Sequence, residues 1–144
     1  KMSRGDYILM LCRAFGLNST QTASFSDVPA NSYYAKALAT AKSFGIATAD
    51  ASGKFRPKEA VTREDAMLFL YRTMKAANRP AAEAGDTVLA RFPDNASITA
   101  SNRSAVAAMV QAGVIQGNDQ GKLAPKSTLT RAEMATILYR ALTL

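Results

Sequence analysis

"LTRAEMATILYRAL", residues 129–142, is nearly a repeat of two earlier stretches of the same chain. Residues 61–74 read "VTREDAMLFLYRTM" and residues 2–15 read "MSRGDYILMLCRAF". Aligned on their first arginines (Arg4, Arg63 and Arg131), the three share a hydroxyl residue just before it: Ser3, Thr62 or Thr130. An acid stands three positions after each hydroxyl, at Asp6, Asp65 and Glu133. A second arginine follows nine residues after the first, at Arg13, Arg72 and Arg140.

Hydroxyl-x-x-acid ahead of an apolar run is the signature of a helix N-terminus. The hydroxyl accepts a free backbone N–H of the first turn, and the acid reaches back to the cap. Glu133 has the better reach for the reciprocal bond, while Asp6 and Asp65 are short but still suit the positive end of a helix. Apolar residues then recur at helical spacing: Ile8, Leu11, Cys12 and Phe15; Met67, Leu70, Tyr71 and Met74; Ala135, Leu138, Tyr139 and Leu142. Met10, Phe69 and Ile137 add a second apolar edge, so each helix is expected to be covered on several sides and the three to share one central bundle.

A second motif occurs twice. Residues 25–65 align with 92–133: Phe25 and Asp27 match Phe92 and Asp94, and Gly45, Gly53, Pro57 and Thr62 match Gly113, Gly121, Pro125 and Thr130. Each copy predicts an extended F-x-D opening, a small-residue helix (roughly 33–44 and 101–112), a glycine stop, a turn and a proline before the next cap. The stretch 75–90 reads as a helix tail and a linker. Self-similarity of this length marks a repeat domain.

The order F-x-D, helix, G-[IV]-x-x-[AG], G-x-[FL]-x-P, T-R-x-[ED] resembles the S-layer homology (SLH) repeat. Residues 25–78 and 92–144 correspond to complete repeats and 1–18 to the C-terminal half of a preceding one. The resemblance implies an all-α, pseudo-threefold domain with a central three-helix bundle and short helix-loop prongs. It implies a non-catalytic module that anchors bacterial surface proteins to the cell wall, with an extracellular, S-layer location. The ligand it implies is a secondary cell-wall polysaccharide carrying ketal-pyruvate, held in grooves between repeats. By position, the ligand-binding residues would be Arg4, Asp27, Tyr33, Gly45, Arg63, Asp94, Gly113 and Arg131. The aromatic position of Tyr33 is Ser101 in the last repeat, and Ala49 stands where that repeat has Gly117.

The residues themselves fit such a ligand. A pyruvate ketal carries a carboxylate, which an arginine fork can grip with two parallel bonds. An arginine one residue after a cap lies beside free N–H groups that favour an anion. The aspartates can accept sugar hydroxyls or local N–H groups. Arg13, Arg72 and Arg140 are expected to complement the helix dipole instead.

Composition bounds the alternatives. The 144 residues are 48% hydrophobic and 20% charged, enough for one ordinary domain. Eighteen basic against 11 acidic residues give a net charge of +7, which favours anionic partners. Nucleic acid is disfavoured because the aromatics sit at core spacing and no binding motif occurs. Histidine is absent and Cys12 is the lone cysteine, at a core position, so no nucleophile–base pair, metal-ligand set or cofactor is expected. The RGD at 4–6 falls in a helical first turn, the wrong conformation for a loop ligand. No apolar run is long enough to cross a bilayer. The chain opens in mid-motif and has three arginine helices but only two F-x-D helices. An upstream segment or a second chain is therefore expected to complete the first repeat. A structural, protein-interaction module is the alternative function.

Overall fold

The computed structural model describes all 144 residues. It contains five α-helices and no strand: α1 (Arg4–Ala14), α2 (Ala35–Ser43), α3 (Arg63–Ala76), α4 (Arg103–Gln111) and α5 (Arg131–Leu142). The all-α expectation is met. Short 3-10 turns at Asp86–Leu89, Asn95–Ser97 and Ala100–Asn102 lie between α3 and α4.

The caps form as read. Ser3, Thr62 and Thr130 accept the backbone N–H of Asp6, Asp65 and Glu133 respectively. Only at α5 does the acid return the bond, Glu133 accepting from the Thr130 N–H at 3.1 Å. The two small-residue helices end on Gly45 and Gly113, whose φ values of 73° and 77° a side chain would strain. There the chain doubles back, with Ile46 N–H on the Ala41 carbonyl and Val114 N–H on that of Met109.

Packing repeats with the sequence. α1 lies against α2, α3 against α4, and α1 against α3. The Tyr7 hydroxyl donates to the Ala66 carbonyl at 2.7 Å and stitches α1 to α3. One contiguous apolar core runs through the molecule, from Met2 to Ala141. Just ahead of α1, α3 and α5, three equivalent residues close a ring of backbone hydrogen bonds. Met2 N–H donates to Leu129 (3.0 Å), Leu129 to Val61 (3.0 Å) and Val61 back to Met2 (2.9 Å).

The linker takes part in the packing: Leu89 is fully buried in the core and Asp86 grips Arg103 of α4 through two bonds of 2.8 and 3.0 Å. One expectation needs correction: the apolar positions of α5 are not covered on several sides. Tyr139 is 70% exposed and Ala135 is exposed, whereas their equivalents Cys12 and Ile8 are buried beside α2. The period was right for α5, but no small-residue helix lies on that face.

Candidate functional site

Each motif arginine that has a following repeat reaches across to it. Arg4 donates from Nε to the Phe55 carbonyl at 3.0 Å and from Nη1 to Asp65 at 2.8 Å. Its guanidinium carbon also sits 4.5 Å from the centre of the Phe55 ring. Arg63 repeats the arrangement one repeat on, with Nε 2.9 Å from the Leu123 carbonyl and Nη1 on Glu133. Both arginines are mostly buried. They clasp one repeat to the next, with part of each fork left to face solvent.

Asp27 and Asp94 stand behind those carbonyls. Asp27 accepts the N–H of Phe55 (2.9 Å) and Arg56 (2.8 Å), and Asp94 those of Leu123 (3.0 Å) and Ala124 (2.8 Å). The pairs of bonds hold Arg56 and Ala124 at φ of 62° and 50°, left-handed conformations for residues with a Cβ. Of the two roles open to these aspartates, the local one is formed. Each folds the loop whose carbonyl positions the neighbouring arginine.

The helix ends differ among the copies. The first-turn N–H groups of α1 are taken by carbonyls of the next repeat, Arg4 N–H by Glu59 and Gly5 N–H by Pro57, each at 2.8 Å. Those of α3 are taken likewise, Arg63 N–H by Ser127 and Glu64 N–H by Pro125. The expected free N–H groups beside Arg4 and Arg63 are therefore occupied. At α5 the Arg131 and Ala132 N–H groups carry no such bond, and Arg131 is exposed. Tyr33, itself 69% exposed, donates its hydroxyl to Asp6, the acid that matches Asp65 and Glu133. That bond pushes the Tyr33 phenol up, and the nearby charge of Arg131 works the other way.

The sequence reading thus named residues that fall into separate places. Tyr33 and Arg131 share one corner, Arg4 and Asp27 meet through Phe55, and Arg63 and Asp94 meet through Leu123. Gly45 and Gly113 are first of all helix stops. Gly113 borders a 490 Å³ hollow with Arg91, Phe92 and Gly117. Another hollow, of 250 Å³, brings Arg63 and Glu133 together with Arg140. Arg140 was read only as a dipole partner, yet its Nη1 leans on the Val114 carbonyl at 3.4 Å, and Arg72 leans on Ile46 at 3.3 Å. The shared 68-residue offset of arginine and carbonyl was the available signal. Also unforeseen is Glu64, 4% exposed, which receives the amide of Asn102, the N–H of Thr99 and the ammonium of Lys126.

The family model for the S-layer homology domain matches residues 24–67 and 91–135. This chain belongs to the S-layer homology domain family. An amylopullulanase of Thermoanaerobacterium thermosulfurigenes is 31% identical over 96% of the chain, and the exoglucanase XynX of Acetivibrio thermocellus 28% identical over 96%. An endoglucanase of Bacillus sp. (strain KSM-635) is 26% identical over 95%. The chain spans only 7%, 12% and 14% of the lengths of these relatives, respectively. S-layer homology domains are, in general, non-catalytic modules that anchor surface proteins to the cell wall. No helix of the chain is long and apolar enough to cross a membrane.

Proposed function

We propose that this S-layer homology domain anchors its parent protein at the bacterial cell surface by binding an anionic secondary cell-wall polysaccharide, one bearing pyruvate ketals, in grooves between repeats. The observation that carries the reading is the recurrence of an arginine at one helix position, twice bridging to the next repeat at the rim of the shared core. With a net charge of +7, such a rim attracts polyanions, and the solvent-facing part of a guanidinium fork can grip a ketal carboxylate. The closed backbone ring supports a pseudo-threefold arrangement of the three second helices. In this reading Arg4, Arg63 and Arg131 face the glycan, Tyr33 offers a ring to a sugar, and Gly45 and Gly113 leave room for it. Asp27 and Asp94 contribute by holding the arginine loops in place.

Calorimetric titration with purified wall polymer, before and after mild acid removal of pyruvate, tests this. Binding that disappears with the pyruvate is the expected result. Binding indifferent to the treatment would leave a wall glycan as ligand and remove the ketal. No binding to either form would defeat the reading.

The uncovered face of α5 favours a second reading, a structural module completed by an upstream segment or another chain. Ala135 and Tyr139 lie bare where α1 and α3 carry a partner helix. Light scattering over a concentration series decides about a second copy, and a monomer that stays folded at all concentrations would count against it.

A further inference from the structure

The two grooves that run beside the second helices of the complete repeats are chemically unequal, although they derive from one motif. The groove beside α5 is a 250 Å³ hollow lined by Arg63, Gln116, Gly117, Asn118, Thr136 and Arg140. At the matching positions beside α3 stand Arg4, Thr48, Ala49, Asp50, Leu68 and Arg72. Two of these exchanges bear directly on an acidic sugar.

Asn118 and Asp50 fold the same turn, each side-chain oxygen accepting two backbone N–H groups: Gln120 and Lys122 for Asn118, Ser52 and Lys54 for Asp50. The turn leaves the Asn118 amide NH₂ free to donate. Asp50 has no donor to offer and brings a second carboxylate, which the Lys54 N–H above all holds ionised, with its pKa down to about 2. Arg56, 3.1 Å away, softens that charge without supplying a donor in its place. Thr136, whose hydroxyl donates to the Ala132 carbonyl at 3.2 Å, keeps its oxygen as an acceptor where Leu68 is apolar.

The cation is the remaining question. Arg63 has its Nε on a carbonyl and its charge matched by Glu133 in the same hollow. Arg140 makes one long bond to a neutral carbonyl and has no carboxylate within salt-bridge distance. It is half-buried and lines the hollow, where its charge is unmatched.

Building on the proposed wall-glycan reading, we infer that the ketal carboxylate binds in the α5 groove, with Arg140 as the guanidinium that meets it and Asn118 and Thr136 contacting the sugar, and that the α3 groove does not take it. Arg63 shapes this groove as the clasp between repeats, and Arg140 selects for charge.

The test uses the full chain, titrated calorimetrically with two probes: the pyruvyl ketal of a methyl hexoside and the methyl ester of that ketal. Wild type should bind the acid and not the ester. Arg140→Gln should weaken acid binding by about tenfold, roughly the worth of one charge-assisted contact. Arg140→Lys should recover part of the loss, and Arg72→Gln should bind as wild type. Thermal melts of each variant confirm that the fold persists. Acid binding by Arg140→Gln at wild-type strength, or an equal loss in Arg72→Gln, overturns the inference while leaving the wall-glycan reading in place. A wild type that binds neither probe overturns the ketal reading and this inference together.

Discussion

Gly5 lies under the ring of Tyr34, so that a Cβ at residue 5 would stand 2.8 Å from the ring's Cδ2 and 3.1 Å from the Cβ of Pro57. The ring is nearly fully buried and cannot swing away. Its equivalent one repeat on is Asn102, which faces Glu64 instead. Each seam between repeats is thus fitted its own way, ring on glycine at one and amide on carboxylate at the other. Gly5→Ala gains helix propensity of up to about 1 kcal/mol but drives backbone against ring, which costs about 1–3 kcal/mol. We expect net destabilisation of Gly5→Ala, measured as a lower urea midpoint with an unchanged m-value.

The motif arginines should separate by stability. Arg63→Ala removes a charge-assisted bond to Glu133 and a bond to the Leu123 carbonyl, and should cost about 2–3 kcal/mol. Arg131 is exposed and makes no such clasp, so Arg131→Ala should stay within about 0.5 kcal/mol of wild type. Thermal unfolding of the two variants side by side is the check, and equal losses would contradict the clasp.

Acid should loosen the second seam. Burial pushes the Glu64 carboxyl upward, but hydrogen bonds from Thr99, Lys126 and Asn102 outweigh it and hold the group below the ordinary glutamate value of 4.5. A carboxyl lowered in the folded state contributes stability in full above its unfolded pKa, and that contribution disappears as pH falls through the lower folded value. Glu64→Gln should therefore cost about 2 kcal/mol near neutrality and show a flatter decline in stability below pH 4.5. Denaturant titrations at stepped pH would show the two curves converging in acid.

Cys12 should be chemically silent in the folded protein. Burial pushes its thiol up to about 11, and it packs against α2 with Sγ 3.7 Å from the Ala37 carbonyl. Labelling with a thiol-reactive disulfide at pH 8 should be slow in buffer and complete in denaturant. Fast labelling in buffer would mean that α2 opens from α1 far more often than this packing allows.

The features legible in the sequence were those whose partners lie close along the chain. Ser3, Thr62 and Thr130 sit three residues from the N–H groups they cap, and Gly45 and Gly113 end the helices that they follow. Arg4 and Arg63 stood out by their recurrence, but their partners Asp65 and Glu133 lie 61 and 70 residues away, where local spacing says nothing. Leu89 escaped notice because a single Val-Leu pair in a stretch of alanine, glycine and acid makes no periodic pattern. Tyr139 was misplaced for a different reason: periodicity describes a helix's own faces and not whether a neighbour covers them.

The three-way ring of Met2, Val61 and Leu129 governs when this domain can become rigid. Two of its three bonds involve Leu129, so a nascent chain emerging from its amino end has Met2 and Val61 in hand long before the ring can close. Contacts across so long a span form late and slowly, since the loop entropy is lost before the bonds repay it. The ring therefore stays open until Leu129 is delivered, and the segment that leads into α5 acts as a late-arriving keystone: without it, two partly built repeats have a seam but no arch.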